Sequence, residues 1–186
     1  MRSCSLVWLL LLPLLWQPVK AQSHMPANLD TALTYLGSLE VGHNRGKAVE
    51  KFLHYVGLPA GNPWCASFVS YDNGVSGTTR PGIRTGLATR FITPRSIPAR
   101  WVREGRSTIS PGTIVIWRHG DSHFGHAALV VSWHRGCGIT IEGNTVEGDY
   151  PAARQGVWIR HRCINPGNHF RIVAFTKVAF QKGKVQ

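Results

Sequence analysis

Acidic side chains are scarce in this chain: nine Asp and Glu stand against 21 Lys and Arg, for a formal charge of +12 at pH 7. The positive charge is spread along the sequence, and the lack of any basic block argues against a nucleic-acid-binding tail. An apolar run long enough to span a bilayer is also missing. Leu6 to Trp16, interrupted by Pro13, falls short of the roughly 20 residues that a span requires. That run follows the basic start Met1-Arg2-Ser3 and precedes the small residues Val19 and Ala21, so it reads as a secretory signal peptide cleaved after Ala21. Residues 1–21 would then leave, Cys4 among them, and residues 22–186 would form a single exported domain. Arg2 and Lys20 depart with the signal, so 19 basic residues remain against the same nine acids, about +10. A cationic exported monomer of this kind suits an anionic partner such as a cell-wall polymer and meets a membrane only during export. Internal repeats, low-complexity tracts and linkers are absent too, so one domain with its own core is expected.

Cysteine is nearly as sparse, and after the signal only Cys65, Cys137 and Cys163 remain. An odd count in an exported chain leaves an intermolecular bridge or a free thiol. Cys137 lies in the glycine-flanked turn Arg135-Gly136-Cys137-Gly138 and Cys163 just after a predicted strand, which makes those two the natural disulfide. Such a bridge is worth about 3–4 kcal/mol on the chain-entropy view, and it leaves Cys65 free.

Cys65 sits in Asn62-Pro63-Trp64-Cys65-Ala66-Ser67-Phe68, which reads as a helix start with Asn62 as N-cap and Pro63 as first helical residue. A thiol in the first turn meets the positive end of the helix dipole, which favours the thiolate. The alternative is a buried cysteine packed as a small hydrophobe.

The N-terminal third reads as helical. Leu29 to Leu36 forms one helix, capped by Asn28 and ended by Gly37. Gly46 to Val56 forms another, with Val49, Phe52, Leu53 and Val56 on one face. The Cys65 helix runs to about Asn73-Gly74. Residues 76–100 read as a long surface excursion with a short helix near Leu87 to Phe91. Strands follow at Thr113–Trp117, His126–Trp133, Ile139–Glu142, Val157–His161 and Arg171–Phe175, with His134 to Gly138 as a hairpin loop. Helices followed by an antiparallel meander give an α+β fold, with the Cys65 helix set across the sheet.

A nucleophilic thiol needs a base, and the base needs an orienting partner. His126 opens the buried run Ala127-Ala128-Leu129-Val130-Val131, and the hairpin folds Glu142-Gly143-Asn144 back towards it. Either Glu142 or Asn144 could then hold one imidazole nitrogen and present the other to Cys65. His119, His123 and His126, joined by Cys65, also stand at metal-ligand spacings. No Glu accompanies them in a metalloprotease arrangement, and the simpler reading is a solvated loop with no metal or other cofactor. Trp64 and Trp117 are candidates for lining a substrate groove, or else are core.

Taken together, Glu40-Val41-Gly42-His43-Asn44, Gly57-Leu58-Pro59, Pro63 to Val69, Pro111 to Trp117, Gly125-His126-Ala127 and Ile141 to Asn144 resemble, in order, the motifs of CHAP amidases. These belong to the NlpC/P60-like, papain-like cysteine peptidase superfamily. The resemblance spans about residues 28–145. It implies Cys65 as nucleophile, His126 as base, Glu142 as its orienting residue and Asn144 as a fourth polar member. Thr113 departs from the Asp that members often carry after Pro-Gly. The implied activity is hydrolysis of a peptidoglycan amide, as a muramoyl–alanine amidase or a stem-peptide endopeptidase. A non-catalytic wall-binding protein and a secreted cysteine-dependent acyltransferase or toxin are the alternatives.

Overall fold

In a computed structural model that describes residues 25–147 and 154–181, four helices pack around an antiparallel sheet. The expected signal peptide lies outside the described residues. The fold is α+β, as the sequence predicts. The helices are α1 (Ala27–Leu33), α2 (Lys47–Tyr55), α3 (Cys65–Val75) and α4 (Ala99–Arg103). The strands are β1 (Thr78–Arg80), β2 (Ile97–Pro98), β3 (Ile114–His119), β4 (Gly125–His134), β5 (Cys137–Val146), β6 (Gln155–Cys163), β7 (Phe170–Thr176) and β8 (Ala179–Phe180). Six of them form one sheet in the order β2-β7-β3-β4-β5-β6, and β1 pairs with β8.

The periodicity of α2 does what an amphipathic pattern should: Val49, Phe52 and Leu53 are buried. Helix α3 lacks a polar stripe in its first two turns, and every residue from Cys65 to Ser70 is buried, so it is the central helix of the layer. It packs on α1, α2 and the sheet, and Phe52 stands among the rings of Trp64, Phe68 and Tyr71 at 5.8, 5.3 and 5.3 Å. Gly74 allows α3 to lie close to α2, because a Cβ there would stand 1.8 Å from the Tyr55 hydroxyl.

Alternation along the strands sends Ile114, Ile116, Ala127, Leu129 and Ile141 into the core shared with α1 to α3. Val115, Trp117, Ala128, Val130 and Phe175 face a second, smaller core closed by Ala99, Val102 and Ile109.

Two differences from the sequence reading concern helix ends and the middle of the chain. Helix α1 starts at Ala27, and Asn28 is not its cap. That side chain is fully buried and donates to Asn73 Oδ1 and Gly112 O, both at 2.9 Å, tying α1 to α3 and to the turn before β3. Residues 76–100 are no mere surface excursion. They supply β1, β2, the start of α4 and, where a short helix was expected, a 3-10 turn at Ala88–Phe91, and they bury Ala88, Phe91 and Ala99. Elements of two to five residues are too short to show a hydrophobic period, which is why all but the short helix near Leu87 to Phe91 read as loop.

The hairpin after β4 is tighter than expected. His134 pairs with Cys137, which leaves Arg135 and Gly136 as the turn, with Arg135 at φ 52°. Cys137 and Cys163 face each other across β5 and β6, and their sulfurs are joined. Cys65 is the free cysteine, as expected, among the described residues.

Candidate active site

Cys65 is the first residue of α3, with Trp64 at the N-cap position. The expected start at Asn62-Pro63 is two residues too early: Asn62 instead donates to Pro59 O at 3.0 Å. The cap comes from far along the chain, where Asn144 Oδ1 accepts the Trp64 N–H at 3.2 Å. Asn144 Nδ2 donates to Glu40 Oε2 at 3.3 Å and to Asn44 Oδ1 at 3.2 Å. Glu40 in turn accepts Trp64 Nε1 at 2.9 Å and the Asn44 N–H at 2.8 Å. Three polar side chains, Glu40 and Asn44 from the α1–α2 loop and Asn144 from β5, therefore fix where α3 begins. Its first internal bond runs from Phe68 N–H to Trp64 O at 2.9 Å, so the amides of Cys65, Ala66 and Ser67 have no acceptor within the helix.

β4 delivers His126 to this helix end. The pairing of β4 with β5 stops at Leu129 and Ile141, so the strand ends nearer the site are free of each other's ladder bonds. Cys65 lies beside the His126 ring and the backbone amides of Ala127 and Ala66, all of which favour its thiolate. Burial pushes the Cys65 pKa up. The charge and hydrogen bond of His126, with the two amides, outweigh this and bring it below the ordinary thiol value. Burial likewise pulls the imidazole down. The Cys65 thiolate and then Glu142 overcome it, and His126 is pushed up to about 10. Each ionised partner thus favours the other, which draws the pair towards thiolate and imidazolium.

Glu142 Oε2 lies 3.0 Å from His126 Nε2, which leaves Nδ1 for the sulfur. The Glu142 side chain is 0% exposed, so its charge must be satisfied internally. Thr140 Oγ1 donates to Oε1 at 2.6 Å, Arg162 Nε to Oε1 at 2.8 Å, and Arg162 Nη2 to Oε2 at 2.6 Å. Burial raises the carboxyl pKa, but the fork from Arg162 and the bond from His126 hold it well below the usual carboxylate range.

The sequence left Glu142 and Asn144 open as partners of the imidazole. Glu142 is the one that bonds it, and the hydrogen bonds of Asn144 all serve the helix start instead. Gly143 between them has a packing reason, since a Cβ there would stand 2.6 Å from the Trp64 ring and 2.8 Å from Phe68. The expectation that Trp64 lines a groove is corrected: it is 0% exposed and belongs to the core. Trp117 does border open space. Its ring is 5.2 Å from that of His126, and both line a cavity of about 290 Å³. His119 packs edge-on against His169 at 4.3 Å, His123 against Phe124 at 4.2 Å, and His126 is engaged as above. The three do not converge as a ligand set. Cys137, His161 and Cys163 do bring their ligand atoms within 4.8 Å of one another, but the two sulfurs are bonded together.

Arg162 and Glu40 are the residues that sequence reasoning missed. Arg160 and Arg162 alternate on β6 opposite Thr140 and Gly138, and that period of two was the available sign of a cation facing the Glu142 side of the sheet. Glu40 lay inside a matched motif with no role attached.

A thiol at a helix start, an imidazole from a strand and a carboxylate behind it, set in an α+β fold, define the class as compatible with the cysteine amidases and peptidases. Residues 57–144 match the family model of the CHAP domain, a stretch that includes Cys65, His126, Glu142 and Asn144. The match covers just under half of the chain and is consistent with a CHAP-type amidase or peptidase. No curated protein and no solved structure matches the chain.

Proposed function

We propose that the protein is an exported cysteine hydrolase that cleaves an amide bond of peptidoglycan. The observation that carries this reading is the placing of Cys65 at a helix start beside His126, whose ring bonds Glu142, itself held by Arg162. The Cys65 thiolate attacks the amide carbonyl carbon, and the electron pair of the C=O bond moves to oxygen. The open amides at the start of α3, that of Cys65 first, stabilise this oxyanion. The His126 imidazolium gives its proton to the leaving nitrogen as the C–N bond breaks, which leaves a thioester. Neutral His126 then takes a proton from water, whose oxygen attacks the thioester and releases the acid. Glu142 keeps the ring oriented and supports its positive charge, and Arg162 keeps Glu142 ionised. Asn144 and Glu40 act as positioning residues for the helix start. The cationic surface draws the enzyme to the carboxylate-bearing wall.

Digestion of purified peptidoglycan by the wild type and by Cys65→Ala tests this, with mass analysis of the fragments. The wild type should release new amines paired with new carboxylates, and the folded variant none. The fragment masses distinguish cleavage at the sugar–peptide junction from cleavage within the stem. Equal release by both proteins would exclude the nucleophile.

A further inference from the structure

We infer that the cavity beside His126 is a carboxylate-binding subsite for the part of the substrate that departs with the amine, an inference that rests on the hydrolase reading above. The cavity, about 290 Å³, is lined by Trp117, His126, Arg162, Asn165, Asn168 and Arg171 among others, but not by Cys65. It therefore borders the imidazole and not the sulfur. In the proposed reaction the imidazolium protonates the leaving nitrogen, so the amine-bearing fragment lies on the imidazole's side.

The chemistry of the lining selects an anion. Among the described residues no Asp or Glu contributes to it. The charge of Arg162 is engaged by Glu142 behind the wall. Half-buried Arg171 makes no side-chain hydrogen bond and no ion pair among the described residues, so its fork of donors is open to a ligand. A neighbouring cavity of about 300 Å³ shares Arg171 and Ile172 and adds Arg100 and Arg103 from α4. The positive lining thus continues away from the site. The volume beside His126 is at the low end for ligand sites, which suits a short peptide segment. An arginine fork recognises a carboxylate in bidentate fashion and gains little from the matching carboxamide.

The test uses paired amide substrates that are identical except for a carboxylate or a carboxamide on the amine-side residue. The wild type should favour the acid by about tenfold in kcat/KM, the worth of one charge-assisted contact. In Arg171→Gln the acid-to-amide ratio should fall towards one, with Arg171→Lys between them. Isothermal titration of alanyl-glutamate and its diamide into Cys65→Ala reads the same preference without turnover. Equal cleavage of both substrates by the wild type, or an unchanged ratio in Arg171→Gln, would overturn the subsite and leave the hydrolase reading intact. A folded wild type that cleaves neither substrate and releases nothing from peptidoglycan would overturn both.

Discussion

Replacing Arg162 by Met removes two bonds to a carboxylate that has no access to solvent. Thr140 and His126 would remain as its partners among the described residues. Breaking a buried ion pair from one side costs about 3–5 kcal/mol, because the other charge stays buried. Here the arginine side chain is 30% exposed. Water can reach part of the vacated volume, and the expected loss is about 2–3 kcal/mol. For a chain of this size that is a fall of roughly 6–10 °C in Tm. The pH dependence has a definite sign. Glu142 has a folded pKa below its unfolded value, so it contributes stability above the unfolded pKa that is lost as pH falls through the folded one. Without Arg162 the folded pKa rises, and protonation relieves the buried charge earlier on acidification. The gap between wild type and variant should therefore be widest at neutral pH and narrow towards pH 4. The double variant Arg162→Met/Glu142→Gln should recover much of the loss at neutral pH. Urea unfolding followed by tryptophan fluorescence at several pH values measures all of this. A gap independent of pH, with no recovery in the double variant, would refute the account of Arg162 as counterion to Glu142.

Three further outcomes follow from other contacts. Asn144→Ala should lower peptidoglycan turnover by about tenfold or more and cost roughly 1–2 kcal/mol, because the Trp64 amide and Glu40 lose their partner; Asn144→Asp, which keeps the acceptor but sets a second carboxylate against Glu40, should not restore it. Gly143→Ala should cost about 1–3 kcal/mol through overpacking against Trp64 and Phe68, checked by thermal unfolding. Asp72 is buried with no partner among the described residues for either carboxyl oxygen, and burial raises its pKa well above the ordinary value. The folded state holds that proton longer than the unfolded one, so stability falls as pH rises from the unfolded pKa towards the folded one. Asp72→Asn should raise Tm by a few degrees near pH 7 and by less near pH 4, read by calorimetry.

What the sequence made legible is what repeats at short range. The faces of α2 and of β3 to β5 were visible because their periods run for six or more residues. The pairing of Cys137 with Cys163 followed from one cysteine in a turn and one at a strand end. Cys65 and His126 stood out because each begins an element. The cap on α3 was not legible, since Asn144 reaches Trp64 across 80 residues and displaces the local candidate Asn62. The choice between Glu142 and Asn144 depended on which face each presents after the irregularity in β5, and alternation alone does not say. Trp64 sits beside the nucleophile in sequence yet points into the core, because Glu40 supplies a half-buried acceptor for its indole N–H. α4 and the strands β1, β2 and β8 are held by tertiary pairing and carry almost no local pattern.

The thiolate–imidazolium pair is tested most directly by the pH dependence of Cys65 alkylation with iodoacetamide. In the wild type the rate should stay high well below the pH at which an ordinary thiol loses its proton, and fall only as acid protonates the sulfur through its lowered pKa. In His126→Ala that fall should move to higher pH, since the largest stabilising partner of the thiolate is gone while the helix-start amides remain. Superimposable profiles for the two proteins would contradict the pair.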